Sequence, residues 1–427
     1  MEEQQAVKIT QKNIEDLKGL NIYYYSKEVL KCAEKKITRY DIIIPIVIDK
    51  NNNVLIGGEE LLALKNLGYK HVPTIEIENL SEAEAKAFSI AHTNLQKKIE
   101  YDYDQLKFEI QDILNCEDIK ITNEDLLLSS IELDNILFDL DFKTEEKAEK
   151  IEIIPDEIPQ RVKSGDLIKL GSHLLLCGNA LKSESYNKLL GSDKADIVIT
   201  DPPYNVKVAD NVTKQKHHKE FAMASGEMTD TEYDNFLHKG LSNIKQYSTD
   251  GAVIYIFMDW RHVLALNVVC NQIFSKQLNL CVWNKINGGM GSFYRSQHEL
   301  CLVYQNGQGK HKNNIELGKN GRNRSNVWDY KGMSTSTKQA KALRKLHPTV
   351  KPTAMLMDIM LDASKYGDIV LDCFGGSGST LIAAEQCGRK ARLIELSPHY
   401  CDVIIARWEK LTGLKHEIIS NVEVING

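Results

Sequence analysis

Paired cysteines are the first thing this sequence lacks. Its nine cysteines, at 32, 116, 177, 270, 281, 301, 373, 387 and 401, are scattered singly, with no C-x-x-C pair and no regular spacing. That excludes a disulfide scaffold and a thiolate zinc site, and leaves reduced core residues inside apolar strings such as LNLCVW and ELCLVY. Long apolar runs are also missing. The longest candidates, Ile42 to Ile48 and Ala252 to Met258, have strand length, far from the roughly 18 residues of a membrane span. The opening MEEQQAVKIT carries no apolar stretch of the kind a secretory signal needs, so the chain is expected to stay in the cytoplasm. There is no internal repeat and no tract dominated by proline, glycine and serine.

An excess of positive charge is lacking as well, for the net charge is −6. The sum conceals an uneven distribution. Between Glu100 and Lys150 there are 16 acidic residues against 5 basic ones, whereas between Asn306 and Leu346 there are 10 basic against 2 acidic. The first stretch is a poor face for DNA and the second a good one.

With 427 residues, the chain is long enough for two cores. Residues 1–98 read as a small α/β unit: IIIPIVID, an Asn51-Asn52-Asn53 turn, a second strand ending at Gly57-Gly58, a helix stopped by Gly68, and VPTIEI. Ser81 with Glu84 three residues later forms a capping-box pattern before the next helix. Residues 99–160 read as an acidic helical connector that ends in the charged DFKTEEKAEK and the interruptions Pro155 and Pro159. Residues 161–427 alternate strands with helices. Their strands (ADIVIT, AVIYIFM, LNLCVW, ELCLVY, DIVLDC and ARLIEL) are almost continuously apolar, as a mostly parallel, doubly covered sheet demands.

Ligands in such sheets bind beyond the carboxyl ends of strands. Two strand ends carry chemistry. After DIVLDC, the loop Phe374-Gly375-Gly376-Ser377-Gly378 enters a helix, and ARLIEL ends at Glu395, about 20 residues on, where a carboxylate can accept both ribose hydroxyls. Taken alone, such a loop is also an ordinary tight turn. No Gly-Lys-Ser/Thr closes it, so a phosphate-free nucleoside such as S-adenosylmethionine fits better than a nucleotide. After ADIVIT comes Asp201-Pro202-Pro203-Tyr204, where two prolines fix the backbone and remove two N–H groups. The Asp201 carboxylate and a backbone carbonyl, best that of Pro202, can take the two N–H bonds of an exocyclic amine while Tyr204 stacks on the ring. A strand terminator with a capping aspartate is the plainer alternative.

The two strings together resemble the amino-methyltransferases of DNA, in which DPPY is the catalytic motif and Asp372-Cys373-Phe374-Gly375-Gly376-Ser377-Gly378 is the cofactor motif. DPPY comes first, and His347-Pro348-Thr349-Val350-Lys351-Pro352 precedes the glycine loop, an order similar to the permuted β group, as in phage and plasmid modification methylases. The resemblance implies a Rossmann-like fold, S-adenosylmethionine as cofactor and double-stranded DNA as partner, with a homodimer compatible with it. Catalysis would fall to Asp201, Pro202, Pro203 and Tyr204. The cofactor would be held by Asp372, Phe374, Gly375, Gly378, Glu395, His347, Lys351 and Thr200. It also implies a flipped target base, because that nitrogen is out of reach inside a stacked duplex. Aspartate at the first motif position implies N6-adenine, with N4-cytosine as the alternative.

In that family, target recognition lies between the Trp283-Asn284-Lys285 string and HPTxKP, where the basic stretch 306–346 falls. Lys310, Lys312, Lys319, Arg322, Arg324, Lys338 and Arg344 are therefore the expected DNA contacts. Lysines 207, 214, 216 and 219 sit with His217 and His218 in a polar segment that reads as a closing loop, and without a third ligand the histidine pair implies no metal. Residues 1–98 resemble the ParB-like fold. Where that family carries an arginine-bearing Gly-His/Glu-Arg-Arg string, this chain has Gly58-Glu59-Glu60-Leu61, which reverses the electrostatics. A partition-type DNA switch is thereby disfavoured, and contact with DNA or another protein stays open for this unit.

Overall fold

The computed structural model describes residues 8–20, 22–41, 43–116, 121–138, 158–206, 226–288, 293–318, 322–332 and 350–419. Contacts divide the chain into two units, between Leu137 and Phe138.

In the first unit, strands β1 (Ile9–Asn13), β2 (Lys18–Gly19), β3 (Ile46–Asp49), β4 (Asn53–Ile56) and β5 (His71–Ile77) form one sheet in the order β1-β5-β3-β4-β2. The turn between β3 and β4 is held by Asp49, whose carboxylate accepts from the Asn51 and Asn53 backbone N–H groups and the Asn53 side chain, each at 2.8 Å. Helices α1 (Lys27–Tyr40), α2 (Gly58–Asn66), α3 (Glu82–Gln96), α4 (Tyr103–Asn115) and α5 (Ser130–Phe138) complete this part of the chain. The Ser81–Glu84 capping box at α3 is present in both directions.

The second unit is built on ten strands: β6 (Leu167–Leu170), β7 (His173–Cys177), β8 (Ala195–Thr200), β9 (Ser248–Met258), β10 (Lys276–Asn284), β11 (His298–Gln305), β12 (Val327–Asp329), β13 (Ile369–Asp372), β14 (Lys390–Glu395) and β15 (Glu417–Ile419). Their order is β12-β10-β11-β9-β8-β13-β14-β7-β6-β15. The middle five, β9, β8, β13, β14 and β7, are parallel, and antiparallel pairs flank them.

Alternation along the strands feeds two cores, one on each face. Ile197 and Ile199 of β8 join one core, Ala195 and Val198 the other. The first is closed by α9 (Thr353–Ala363), α10 (Ser379–Gln386) and α11 (Pro398–Thr412), the second by α6 (Ser183–Leu190), α7 (Asp230–Tyr247) and α8 (Val263–Ile273). Every residue of α9 is buried. No helix among the described residues is long and apolar enough to cross a membrane.

Candidate active site

From β8 the chain moves outward through β9, and from β13 it moves the other way through β14, so the strand order reverses between β8 and β13. This is the topological switch point at which doubly wound sheets open a crevice. Asp201 follows β8 and Asp372 ends β13. The fold thus brings the two motifs together although 170 positions separate their aspartates in the sequence.

Asp201 keeps 21% of its side-chain surface exposed. Its Oδ1 accepts from the Tyr204 hydroxyl, and its Oδ2 from the Lys351 ammonium at 2.5 Å. Burial pushes the Asp201 carboxyl up and Lys351 pulls it back, while Lys351 is itself raised by Asp201 and Glu299 against the opposing effect of its burial. Lys351, expected among the residues that hold the cofactor, is seated on the Asp201 carboxylate. It also lies 3.0 Å from Glu299, which holds Lys285 at 2.8 Å. The Pro203 carbonyl is taken by the Tyr233 hydroxyl at 2.9 Å. No donor to the Pro202 carbonyl is found among the described residues. Glu299 and Tyr233 were not found from sequence. The signal for Glu299 was a carboxylate at the start of the apolar strand HELCLVY.

Across the crevice, Gly376 and Gly378 have positive φ, and a Cβ on Gly378 would come within 2.8 Å of Ile404. A Cβ on Gly375 would crowd Leu393 at 3.3 Å. Glu395 Oε2 accepts from the Gly376 N–H and Oε1 from the Ser397 N–H, both at 2.8 Å. Burial raises its carboxyl to about 7 against these bonds. Asp372 accepts from Thr380 at 2.6 Å and from the Phe374 N–H at 3.1 Å, and burial raises it to about 6. The buried Thr200 hydroxyl, without a partner in hydrogen-bond geometry among the described residues, lies beside Asp372 and acts to lower it. Phe374 packs on Phe236 with ring centroids 6.0 Å apart.

Neither carboxylate of this cradle has a recorded cation among the described residues. Two buried acids with spare lone pairs above a glycine-rich turn suit a cationic, hydroxyl-rich nucleoside and oppose a phosphate, so the residues present fit S-adenosylmethionine. Beneath the loop lies a residue that sequence reasoning missed: the fully enclosed Arg407 guanidinium donates to the Ser377 carbonyl at 2.5 Å, and burial lowers it to about 10.

The basic stretch needs correction. Lys312 pairs with Asp196 at 3.0 Å and Asp368 at 2.5 Å, at the amino ends of β8 and β13. Asp201 lies five residue steps beyond Asp196, roughly 16 Å at about 3.3 Å per step. Arg322 binds Asp358 at 3.0 Å and Asp362 at 2.8 Å, and Arg324 binds the same two at 3.2 and 2.7 Å. Asp358 and Asp362 are one turn apart on the buried helix α9, and the arginines neutralise them. All three cations are thus engaged by carboxylates of the fold, the two arginines largely enclosed and Lys312 30% exposed. Lys310 is exposed, but its carbonyl lies beside Gly251 at that same far edge of the sheet. Lys319, Lys338, Arg344, His347 and the lysine-rich segment 207–219 lie outside the described residues.

The N6/N4 DNA methylase family matches residues 195–407. The type II methyltransferase M.HpaI of Haemophilus parainfluenzae is 26% identical over 243 residues, covering 54% of this chain and 72% of its own length. M.HinfI of Haemophilus influenzae is 26% identical over 254 residues, covering 56% and 70%. Among solved structures, the M1.HpyAVI–S-adenosylmethionine complex aligns with 55% of this chain and 97% of its own at 20% identity, with a TM-score of 0.42. The matched span opens at β8 and closes within α11, taking in both strand ends of the crevice, and the chain belongs to the N6/N4 family of S-adenosylmethionine-dependent DNA methyltransferases.

Proposed function

We propose that this enzyme methylates the N6 amine of an adenine flipped out of double-stranded DNA at a specific sequence. The observation that carries the reading is the pair of acceptors after β8, the Asp201 carboxylate and the Pro202 carbonyl, facing the Asp372–Glu395 cradle across the switch point. S-adenosylmethionine bound there supplies an electrophilic methyl group. Glu395 would hold its ribose, Asp372 and the Gly375–Gly378 turn would hold its methionine end, and Thr200 and Phe374 would line the passage between the motifs.

On the substrate side, two acceptors on one amine draw its nitrogen toward sp³ geometry and stabilise the positive charge that develops there. Asp201 has lone pairs to spare for this beside its bonds to Tyr204 and Lys351. The N–H proton becomes acidic once the methyl group has moved, and Asp201 is placed to receive it. Tyr204 has the ring on which the base would stack. DNA contact from the β10–β11 connection is supported by Phe293 and Tyr294, which are 86% and 83% exposed with centroids 4.5 Å apart, and by the exposed Arg295. Aspartate at position 201 supports adenine over cytosine through the family resemblance.

Modification-sensitive sequencing of DNA from cells expressing the wild type or Asp201→Ala tests this. A modified adenine present only with the wild type is expected, and in vitro the variant should lose at least about 100-fold in rate. Modified cytosine would replace the adenine reading with the N4 one. No difference between the samples would reject both.

A further inference from the structure

Lys285, Glu299, Lys351 and Asp201 form a row of alternating charges drawn from four places in the chain: the residue after β10, the second residue of β11, the approach to α9 and the end of β8. Lys351 and Glu299 side chains are 8% and 10% exposed, and Lys285 at the outer end is 28% exposed. Buried pairs of this kind seldom stabilise a fold better than apolar side chains of the same volume would. A lone ammonium at 2.5 Å from Asp201 would also weaken the acceptor on which the chemistry depends. Glu299 counters this by claiming a share of the same ammonium.

Resting on the methyltransferase reading, we propose that Glu299 is a positioning residue that sets the acceptor strength of Asp201 through Lys351. Lys285 balances Glu299 from outside and leans on the Trp283 ring, 4.9 Å from its centroid. The other groups facing this row are Tyr204 on Asp201, Asp259 after β9, Asp372 at the end of β13 and Cys301 on β11. The direction of each electrostatic effect agrees: Glu299 raises Asp201, and both lysines hold Glu299 below its ordinary value against its burial.

The test is the pH dependence of single-turnover DNA methylation. Glu299→Gln keeps the shape but removes the charge and turns one of the two acceptor oxygens into an N–H donor. Its rate near neutral pH should fall roughly 10-fold and the acid limb of its profile should move to lower pH, with cofactor affinity within about twofold of wild type. Lys285→Met should move that limb the opposite way, and Glu299→Asp should restore most of the wild-type profile. A wild-type profile in Glu299→Gln, or a lower rate with the limb unmoved, would overturn the proposal. Failure of the wild type to methylate any DNA would instead reject the methyltransferase reading, so the two failures are distinguishable.

Discussion

Two strand-to-helix turns in this chain share a backbone solution and differ in what occupies them. After β4, Gly57 at φ 90° starts α2; after the glycine loop, Gly378 at φ 81° starts α10; neither helix has a side-chain cap. In the first turn the space above the helix is filled from within. The Tyr25 hydroxyl stands where a Gly58 Cβ would be, the Glu59 and Glu60 carboxylates act on its phenol by charge, and Glu60 pairs with Lys36 at 2.8 Å. In the second, α10 has no acid in its first turn, and the carboxylates nearby come from neighbouring strand ends with lone pairs unspent. Glycines at a turn state what the backbone can do; the side chains around them decide whether a ligand is admitted.

The sharpest way to break this comparison is alanine at one glycine of each turn. Gly378→Ala forces a side chain into left-handed backbone, costing about 1–2 kcal/mol, and drives its Cβ against Ile404. Calorimetric titration should show S-adenosylmethionine affinity lowered more than about 10-fold. Gly58→Ala meets only the tip of Tyr25, a side chain that can move, and should leave that affinity within about twofold. Equal losses in both variants would erase the distinction.

A smaller effect comes from pH. Glu395 and Asp372 are raised by burial to about 7 and about 6, so the ligand-free fold holds protons that the unfolded chain has already released. Their contribution to stability is therefore full below the ordinary carboxylate values and is lost as pH rises through about 7. Affinity for the cationic cofactor should run the other way, rising roughly 3- to 10-fold between pH 5 and 8. Melting curves and titrations across that range check both slopes, and parallel slopes would contradict the assignment of these acids to the cofactor.

The smallest effect is expected at the filled turn. Glu60→Arg restores a cation where the ParB-like pattern has one, yet Tyr25 still covers Gly58. Nucleoside triphosphate binding should stay undetectable by titration and stability should change by about 0–1 kcal/mol, the range of a partly exposed ion pair.

Much of the methyltransferase unit was legible because its central strands are buried on both faces and so read as unbroken apolar runs; ADIVIT, DIVLDC and ARLIEL are β8, β13 and β14. Strand direction was not written in composition. The antiparallel course of β10 and β11 lies in their pairing, Cys281 opposite Cys301 and Asn284 opposite His298, which no apolar count records. At the site, Asp201, Asp372 and Glu395 were recognisable because motif spacing is local. Glu299, Tyr233 and Arg407 act through contacts that only the closed sheet creates. Arg322 and Arg324 misled for the same reason: their neutralising partners, Asp358 and Asp362, stand some forty positions later in MLMDIMLD, where two aspartates look like the wet side of an amphipathic helix.

That clasp bears on engineering. The segment running into β12 is fastened to α9 by charge complementarity, and α9 begins two residues after the lysine that grips Asp201. Any foreign segment spliced in place of residues 306–346 must bring cations to positions 322 and 324. Otherwise the host helix carries two naked carboxylates, a penalty of about 3–5 kcal/mol, and the graft fails by unfolding before any new property can be tried.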